Sequence, residues 1–227
     1  LDLICLESGY SKATLKRMFS RYLNQAPAFL IRQRQSAHLL IDGTYFNNDL
    51  CLVLYQDNDV KYTQLYRFSD RERYDEIVED LQNLKAIGVE LASITCDGHR
   101  AILKAIKTVY PHVAVQRCVV HIQRMALTWL TRNPKTQAGR DLRGIALKTH
   151  RVNSPLERDY WIASLARWYQ SNEVFLKEKR INPLTGRGWY VHRILRRVVY
   201  LIVKALPDMF HYLDDIQIPK STNGLES

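Results

Sequence analysis

From His38 onward the spacing of apolar residues changes twice, and that double change limits what this 227-residue chain can become. Three short runs, HLLIDGTYF, DLCLVLYQ and VKYTQLYRF, are rich in Leu, Val, Ile, Tyr and Phe and are parted by Asn-Asn-Asp and Asp-Asn-Asp turns. That pattern predicts an antiparallel meander. Next comes RERYDEIVEDLQNLKAIGV, whose Tyr74, Ile77, Val78, Leu81, Leu84 and Ile87 form one stripe of an amphipathic helix ended by Gly88. LASITC reads as a buried strand stopping at Asp97, GHRAILKAIKTVY as a helix closed by Pro111, VAVQRC as a last strand and VVHIQRMALTWLTR as another helix. Three strands, then helix, strand, helix, strand, helix, describe an α/β core with a mixed sheet over residues 38–133. Residues 134–215 show only helical spacing, punctuated by Pro134, Pro155, Pro183 and Pro207, and are expected to form a large all-helical insertion. Residues 216–227 then return to the core.

Ahead of the core, residues 1–24 carry Leu3, Ile4, Leu6, Leu15, Met18, Phe19 and Tyr22 at helical spacing, interrupted by Gly9. Two helices around a tight turn fit this, with Ser11 capping the second. Lys12, Lys16, Arg17 and Arg21 then project from the second helix, the arrangement of a helix-turn-helix DNA reader. An ordinary helical hairpin with a solvated basic face has the same pattern. Residues 25–37, with Arg32 and Arg34 after Pro27, form a linker.

Lys and Arg number 33 against 23 Asp and Glu, a formal charge of +10 that favours polyanionic partners. A hydrophobic fraction of 46% is enough to bury a core, so disorder does not describe the whole. No apolar run approaches the ~20 residues that cross a bilayer, and no leader pattern opens the chain. A soluble protein is expected, cytoplasmic and nucleoid-associated if bacterial. Cys5, Cys51, Cys96 and Cys118 lie far apart with no Cys-x-x-Cys pair, which favours reduced thiols over disulfides or a zinc ribbon. The opening Leu1 and the closing Ser227 suggest a piece of a longer protein.

Two carboxylates stand out. Asp42 follows an apolar Leu-Leu-Ile on the first strand, and Asp97 ends the fourth strand, 55 residues on. Both are costly places for an unpaired charge. If these strands are neighbours, as in the ribonuclease-H-like arrangement, the two carboxylates converge where divalent cations could assist phosphodiester displacement. Taken singly, Asp97 also reads as a helix cap and Asp42 as a hydrogen-bonded residue at the sheet rim. Asp49, Asp57, Asp70, Glu173, Asp214, Asp215 and Glu226 are candidates for a third acidic ligand.

Four motifs in order, Asp42-Gly-Thr-Tyr-Phe, Thr95-Cys-Asp97-Gly-His, Gln116-Arg-Cys118-Val-Val-His121 and Ser221-Thr-Asn223-Gly-Leu-Glu226-Ser, resemble those of the Mutator-like DDE transposases. The resemblance covers residues 38–227. It implies a ribonuclease-H-like catalytic domain, interrupted by a helical insertion, that cuts and rejoins double-stranded DNA with two Mg2+ ions, Mn2+ substituting. Asp42, Asp97 and Glu226 become the catalytic and metal-holding trio, and the 129-residue spacing of the last two is accounted for by the insertion. Cys118 and His121 match the family's Cys-x-x-His signature, placed beside the active site. With no second ligand pair nearby, packing plus a hydrogen bond from His121 is favoured over a structural zinc.

Thr185 to Arg197 combines a glycine turn, the aromatics Trp189 and Tyr190 and four arginines, three of them Arg193, Arg196 and Arg197. A transposon end is distorted at the cut, and Trp189 stacking on a displaced base with those arginines on phosphates would serve it. Trp161, Trp168 and Trp189 read equally well as core residues of a helical bundle.

The function expected is therefore that of a transposase fragment that cuts transposon ends and joins the 3′ hydroxyl to target DNA, with a homo-oligomer implied by the resemblance. A catalytically inactive DNA-binding remnant and a ribonuclease-H-like nuclease are the alternatives. Because only Ser227 follows Glu226, the 227-residue chain is expected to cut poorly beside a longer parent.

Overall fold

The computed structural model describes residues 1–23, 37–46 and 50–225. It divides into two compact units, Leu1–Gln116 with Gln217–Ser227, and Arg117–Ile216. Among the described residues it is a mixed α/β structure with eight α-helices and a five-stranded sheet. No helix there is long and apolar enough to cross a membrane.

In the first unit, β1 (Ala37–Tyr45), β2 (Cys51–Asp57) and β3 (Tyr62–Ser69) make the expected meander. β4 (Leu91–Cys96) and β5 (Ala114–Arg117) extend it in the order β3-β2-β1-β4-β5, with β4 parallel to β1. Strand alternation then sorts side chains onto two faces. Leu39, Ile41, Val53, Tyr55, Ile94 and Cys96 share one buried cluster with Ile77, Leu81 and Leu84 of α3 (Tyr74–Ala86) and Ile102, Ala105 and Ile106 of α4 (Arg100–Val109). Each such side chain contributes about 1.5–3 kcal/mol when fully buried. The alternate residues, Leu40 and Asp42 on β1 and Ser93 and Thr95 on β4, project to the other face. There His38 Nδ1 lies 2.8 Å from Ser93 Oγ, its partner in register.

On the helix face, Asp80 is fully buried. Its two oxygens accept from Arg67 Nε at 3.0 and 2.9 Å, and Tyr55 Oη donates to Oδ2 at 3.0 Å. Burial pushes the Asp80 carboxyl up, opposed by hydrogen bonds and attraction from Arg67 and by the Tyr55 hydroxyl. The N-terminal helices are α1 (Asp2–Ser8) and α2 (Lys12–Leu23), with Gly9 at φ +70° between them sending its N–H to Cys5 O. Ser11 Oγ accepts the Thr14 N–H, the cap its position suggests.

In the second unit, α5 (Val119–Leu130) packs on α6 (Gln137–Leu147) and α8 (Arg193–Ala205), so this helix, expected with the core, belongs here. α7 (Pro155–Lys177) begins with a reciprocal cap: Ser154 Oγ accepts the Glu157 N–H, and Glu157 accepts the Asn153 N–H. Trp161 and Trp168 are buried, and their indole N–H groups donate to Ile145 O and Ala138 O of α6, each at 3.0 Å. They are core residues.

The expectation of an all-helical insertion needs correction. β6 (Lys179–Ile181) and β7 (Gly188–Tyr190) form an antiparallel hairpin within it. Three-residue strands are too short to show a period. The turn chemistry makes them: Asn182 Oδ1 accepts the Leu184 and Thr185 N–H groups, and Gly186 takes φ +66°.

Candidate active site

Ile41 lies opposite Cys96 in the last pair of the parallel β1–β4 ladder, and Asp42 and Asp97 are the next residues along each chain, Asp42 within β1 and Asp97 just past the end of β4. Adjacent strands are ~4.8 Å apart. Asp42 is buried and Asp97 half-buried. The Asp42 carboxylate is oriented on both oxygens: Oδ1 accepts the Gly43 N–H at 3.0 Å, and Oδ2 accepts from Thr222 Oγ1 at 2.9 Å. Asp97 Oδ1 accepts the His99 N–H at 2.7 Å. Asp97 thus holds the turn before α4, whose N-cap is His99.

Thr222 comes from the returning C-terminal segment, 180 residues from Asp42. The same segment is tied to β4, where Thr95 Oγ1 donates to Pro219 O at 2.8 Å. Gly224 lies over Leu40 of β1, where a Cβ would meet Leu40 Cδ1 at 3.4 Å, ordinary van der Waals contact. The segment bearing the Ser-Thr-Asn-Gly-Leu motif is therefore bonded to both strands that carry the aspartates. Glu226 lies outside the described residues.

Asp42 on β1 and Asp97 just past β4 carry carboxylate oxygens, hard donors of the kind that Mg2+ takes. Among the described residues, no group of three or more His, Cys, Asp and Glu side chains forms a metal cluster.

Glu72 was not among the acidic candidates. In the sequence it stands between Arg71 and Arg73, where it reads as a solvated charge. In the fold its side chain is only 4% exposed, with Oε2 at 2.9 Å from His99 Nδ1 and its backbone N–H directed to Tyr45 Oη. The carboxylate fills the space beneath Gly43. His99 therefore touches both acids: its N–H holds Asp97 and its ring meets Glu72. Burial, then the nearby Glu72 charge, pushes the Cys51 thiol up to about 12. Burial likewise raises Tyr45.

A Cβ at residue 43 would overlap Glu72 Oε1 and stand 2.9 Å from its Cδ, so Gly43→Ala must shift the buried Glu72 side chain that holds His99. The expected cost is about 1–3 kcal/mol in denaturant unfolding. In a Glu72→Ala background the same substitution should cost at least about 1 kcal/mol less. An equal cost in both backgrounds would show that the overlap is not the cause.

A family model described as Transposase, Mutator family matches residues 64–185, more than half of the chain. The chain belongs to the Mutator family of transposases. No curated protein matches. Among solved structures, a chain of the simian T-cell lymphotropic virus intasome in complex with PP2A regulatory subunit B56 gamma is similar at 11% identity and a TM-score of 0.25. That match covers 88% of this chain and 63% of the other, so the chain spans less than two thirds of its length. A score of that size carries no argument.

The remaining candidates of this Mutator-family transposase chain fall in several places. Cys118 is the fully buried N-cap residue of α5 and His121 is half-buried three residues on, both in the second unit. Lys12, Lys16, Arg17 and Arg21 are exposed on α2, with Lys12 at 3.2 Å from Asp2. Trp189 is 41% exposed on β7. Arg193 is exposed at the start of α8. Arg196 stacks on the Tyr190 ring at 3.6 Å and donates to Leu176 O, and Arg197 stacks on Trp129 at 3.8 Å. Both are engaged in the packing of their own unit.

Of the other acids, Asp57 accepts the Asp59 and Val60 N–H groups in the turn after β2. Asp70 pairs with Arg71 and Arg73, and Glu173 pairs with Lys177 in the second unit. Asp214 and Asp215 also lie in the second unit, and Asp49 lies outside the described residues along with Arg32 and Arg34.

Proposed function

We propose that this chain carries the ribonuclease-H-like catalytic core of a DNA transposase, with Asp42, Asp97 and Glu226 holding two Mg2+ ions. The observation that carries this reading is the returning segment: Thr222 bonds Asp42, Thr95 bonds Pro219, and Glu226 follows four residues after Thr222 in the same motif. The strand order, with β1 and β4 parallel neighbours, supports the fold assignment. Bound in such a site, two hard cations supply positive charge to the attacking and leaving oxygens of a phosphodiester displacement.

The protein's own part is preorganisation. The Gly43 N–H and the Thr222 hydroxyl aim the Asp42 carboxylate, and the His99 N–H aims that of Asp97. Glu72 steadies the His99 ring from beneath β1. The partners in this reading are the duplex ends of the element and the target DNA, and bringing two ends together calls for at least two copies of the protein.

Crystals soaked in Mn2+ test the site directly. An anomalous peak touching both Asp42 and Asp97 in the parent protein, and lost in Asp42→Asn, is the expected result. Absence of manganese from both carboxylates in the parent protein would overturn the two-metal reading.

A further inference from the structure

The charge of this chain is not spread evenly. Residues 117–216 hold 18 Lys and Arg against 8 Asp and Glu, a balance of +10, while the rest of the chain holds 15 of each. The whole net charge therefore sits in the helical unit, and the unit that holds Asp42 and Asp97 is neutral. A polyanion is attracted to the first and gains nothing on average from the second.

Within the helical unit, the basic residues divide by what they touch. Arg196 and Arg197 lie on aromatic rings, and Arg140 donates to Gln137, Pro134 and Lys135. Lys148, Arg151 and Arg167 are exposed, and among the described residues their side chains make no hydrogen bond or ion pair. All three line one groove of about 830 Å³ along α6 and α7. Its floor includes Trp161 and Trp168, whose N–H groups point inward to α6, and Tyr160 stands on its lip, 67% exposed. Asp141 and Glu157 also line it, but Asp141 accepts from Gln137 and Glu157 completes the α7 cap.

We infer that this groove grips the phosphate backbone of duplex DNA through Lys148, Arg151 and Arg167. Uncommitted cations beside a rigid aromatic floor suit a chain of phosphates, each contact releasing a condensed counterion. The groove positions DNA without reading its sequence, because the cations meet phosphates and not base edges. Tyr160 packs its ring on the sugar edge of the same strand. The inference rests on the transposase reading only for the identity of the polyanion.

The test is the salt dependence of duplex binding, measured by fluorescence anisotropy between 50 and 200 mM salt on a ~20-base-pair duplex. The Lys148→Gln, Arg151→Gln, Arg167→Gln triple variant should bind at least tenfold more weakly. Its log–log salt slope should fall by about 2–3, at ~0.9 per lost phosphate contact. Because these side chains are exposed and make no hydrogen bond or ion pair among the described residues, the variant's melting temperature should match that of the parent. A matched triple on α2, Lys12→Gln, Lys16→Gln, Arg17→Gln, serves as the comparison.

An unchanged slope in the groove variant, with the parent showing a steep one, overturns the inference and leaves the transposase reading standing. Loss of slope confined to the α2 variant does the same. A parent protein with no salt-dependent DNA binding overturns both. Repeating the measurement with Asp42→Asn keeps cleavage out of the readout.

Discussion

Asp42→Asn is expected to lower Mg2+-dependent cutting of transposon-end DNA by on the order of 10³-fold, about 4 kcal/mol at the transition state. Asparagine keeps one oxygen to accept the Gly43 N–H but removes the negative charge that a hard cation requires. Asp97→Asn should do the same, and under the proposed two-metal reading the double variant should be little worse than either, because carboxylates that share one metal site act as a unit. DNA affinity in the absence of divalent metal should be unchanged, and the melting temperature should move by no more than a few degrees. Single-turnover cleavage on labelled ends is the measurement. Retention of a tenth or more of the parent rate by Asp42→Asn would remove Asp42 from the chemistry.

The second large effect is on stability. Asp80→Ala is expected to destabilise the first unit by about 3–5 kcal/mol, because it leaves a guanidinium and a buried hydroxyl without their acceptor. The Arg67 side chain is 16% exposed and keeps its ion pair with Glu79, itself 60% exposed and so poorly placed to compensate. Tyr55 is fully buried and has its hydroxyl aimed at Asp80. In a chain of this size the loss corresponds to roughly 10 °C in melting temperature. Arg67→Met with Asp80→Leu should recover most of it, since a buried ion pair replaced by apolar groups of similar volume is often no less stable. A single-variant cost below about 1 kcal/mol would show that the pair is not the anchor of β3 on α3.

Much of the first unit was legible in the sequence, because the signals there are local. Short runs rich in Leu, Val, Ile, Tyr and Phe define β1, β2 and β3, the Tyr74 to Ile87 stripe defines α3, Asp42 draws notice as a charge after a wholly apolar Leu-Leu-Ile, and Asp97 as a charge that follows a buried strand. The insertion was less legible. Lys179 to Tyr190 folds as a hairpin from strands too short to alternate, and α5 joins α6 and α8 through an apolar stripe that would serve as well against a sheet. In the sequence Arg196 and Arg197 read as cations for phosphates, whereas in the fold they lie on the rings of Tyr190 and Trp129.

By itself the sequence determined the strands and helices of the first unit, the two aspartates that stand out on or just after buried strands, and which family the motifs resemble. Each of these follows from residue spacing within a few turns of chain. Only the tertiary structure decided that Thr222 reaches Asp42 across 180 residues, that Glu72 is buried against Gly43 and His99, and that Lys148, Arg151 and Arg167 are left uncommitted along one groove. A charge between two arginines reads the same whether solvated or buried. What separates the two cases is the set of distant atoms that close over it, and that set is fixed by chain closure and packing, not by local periodicity.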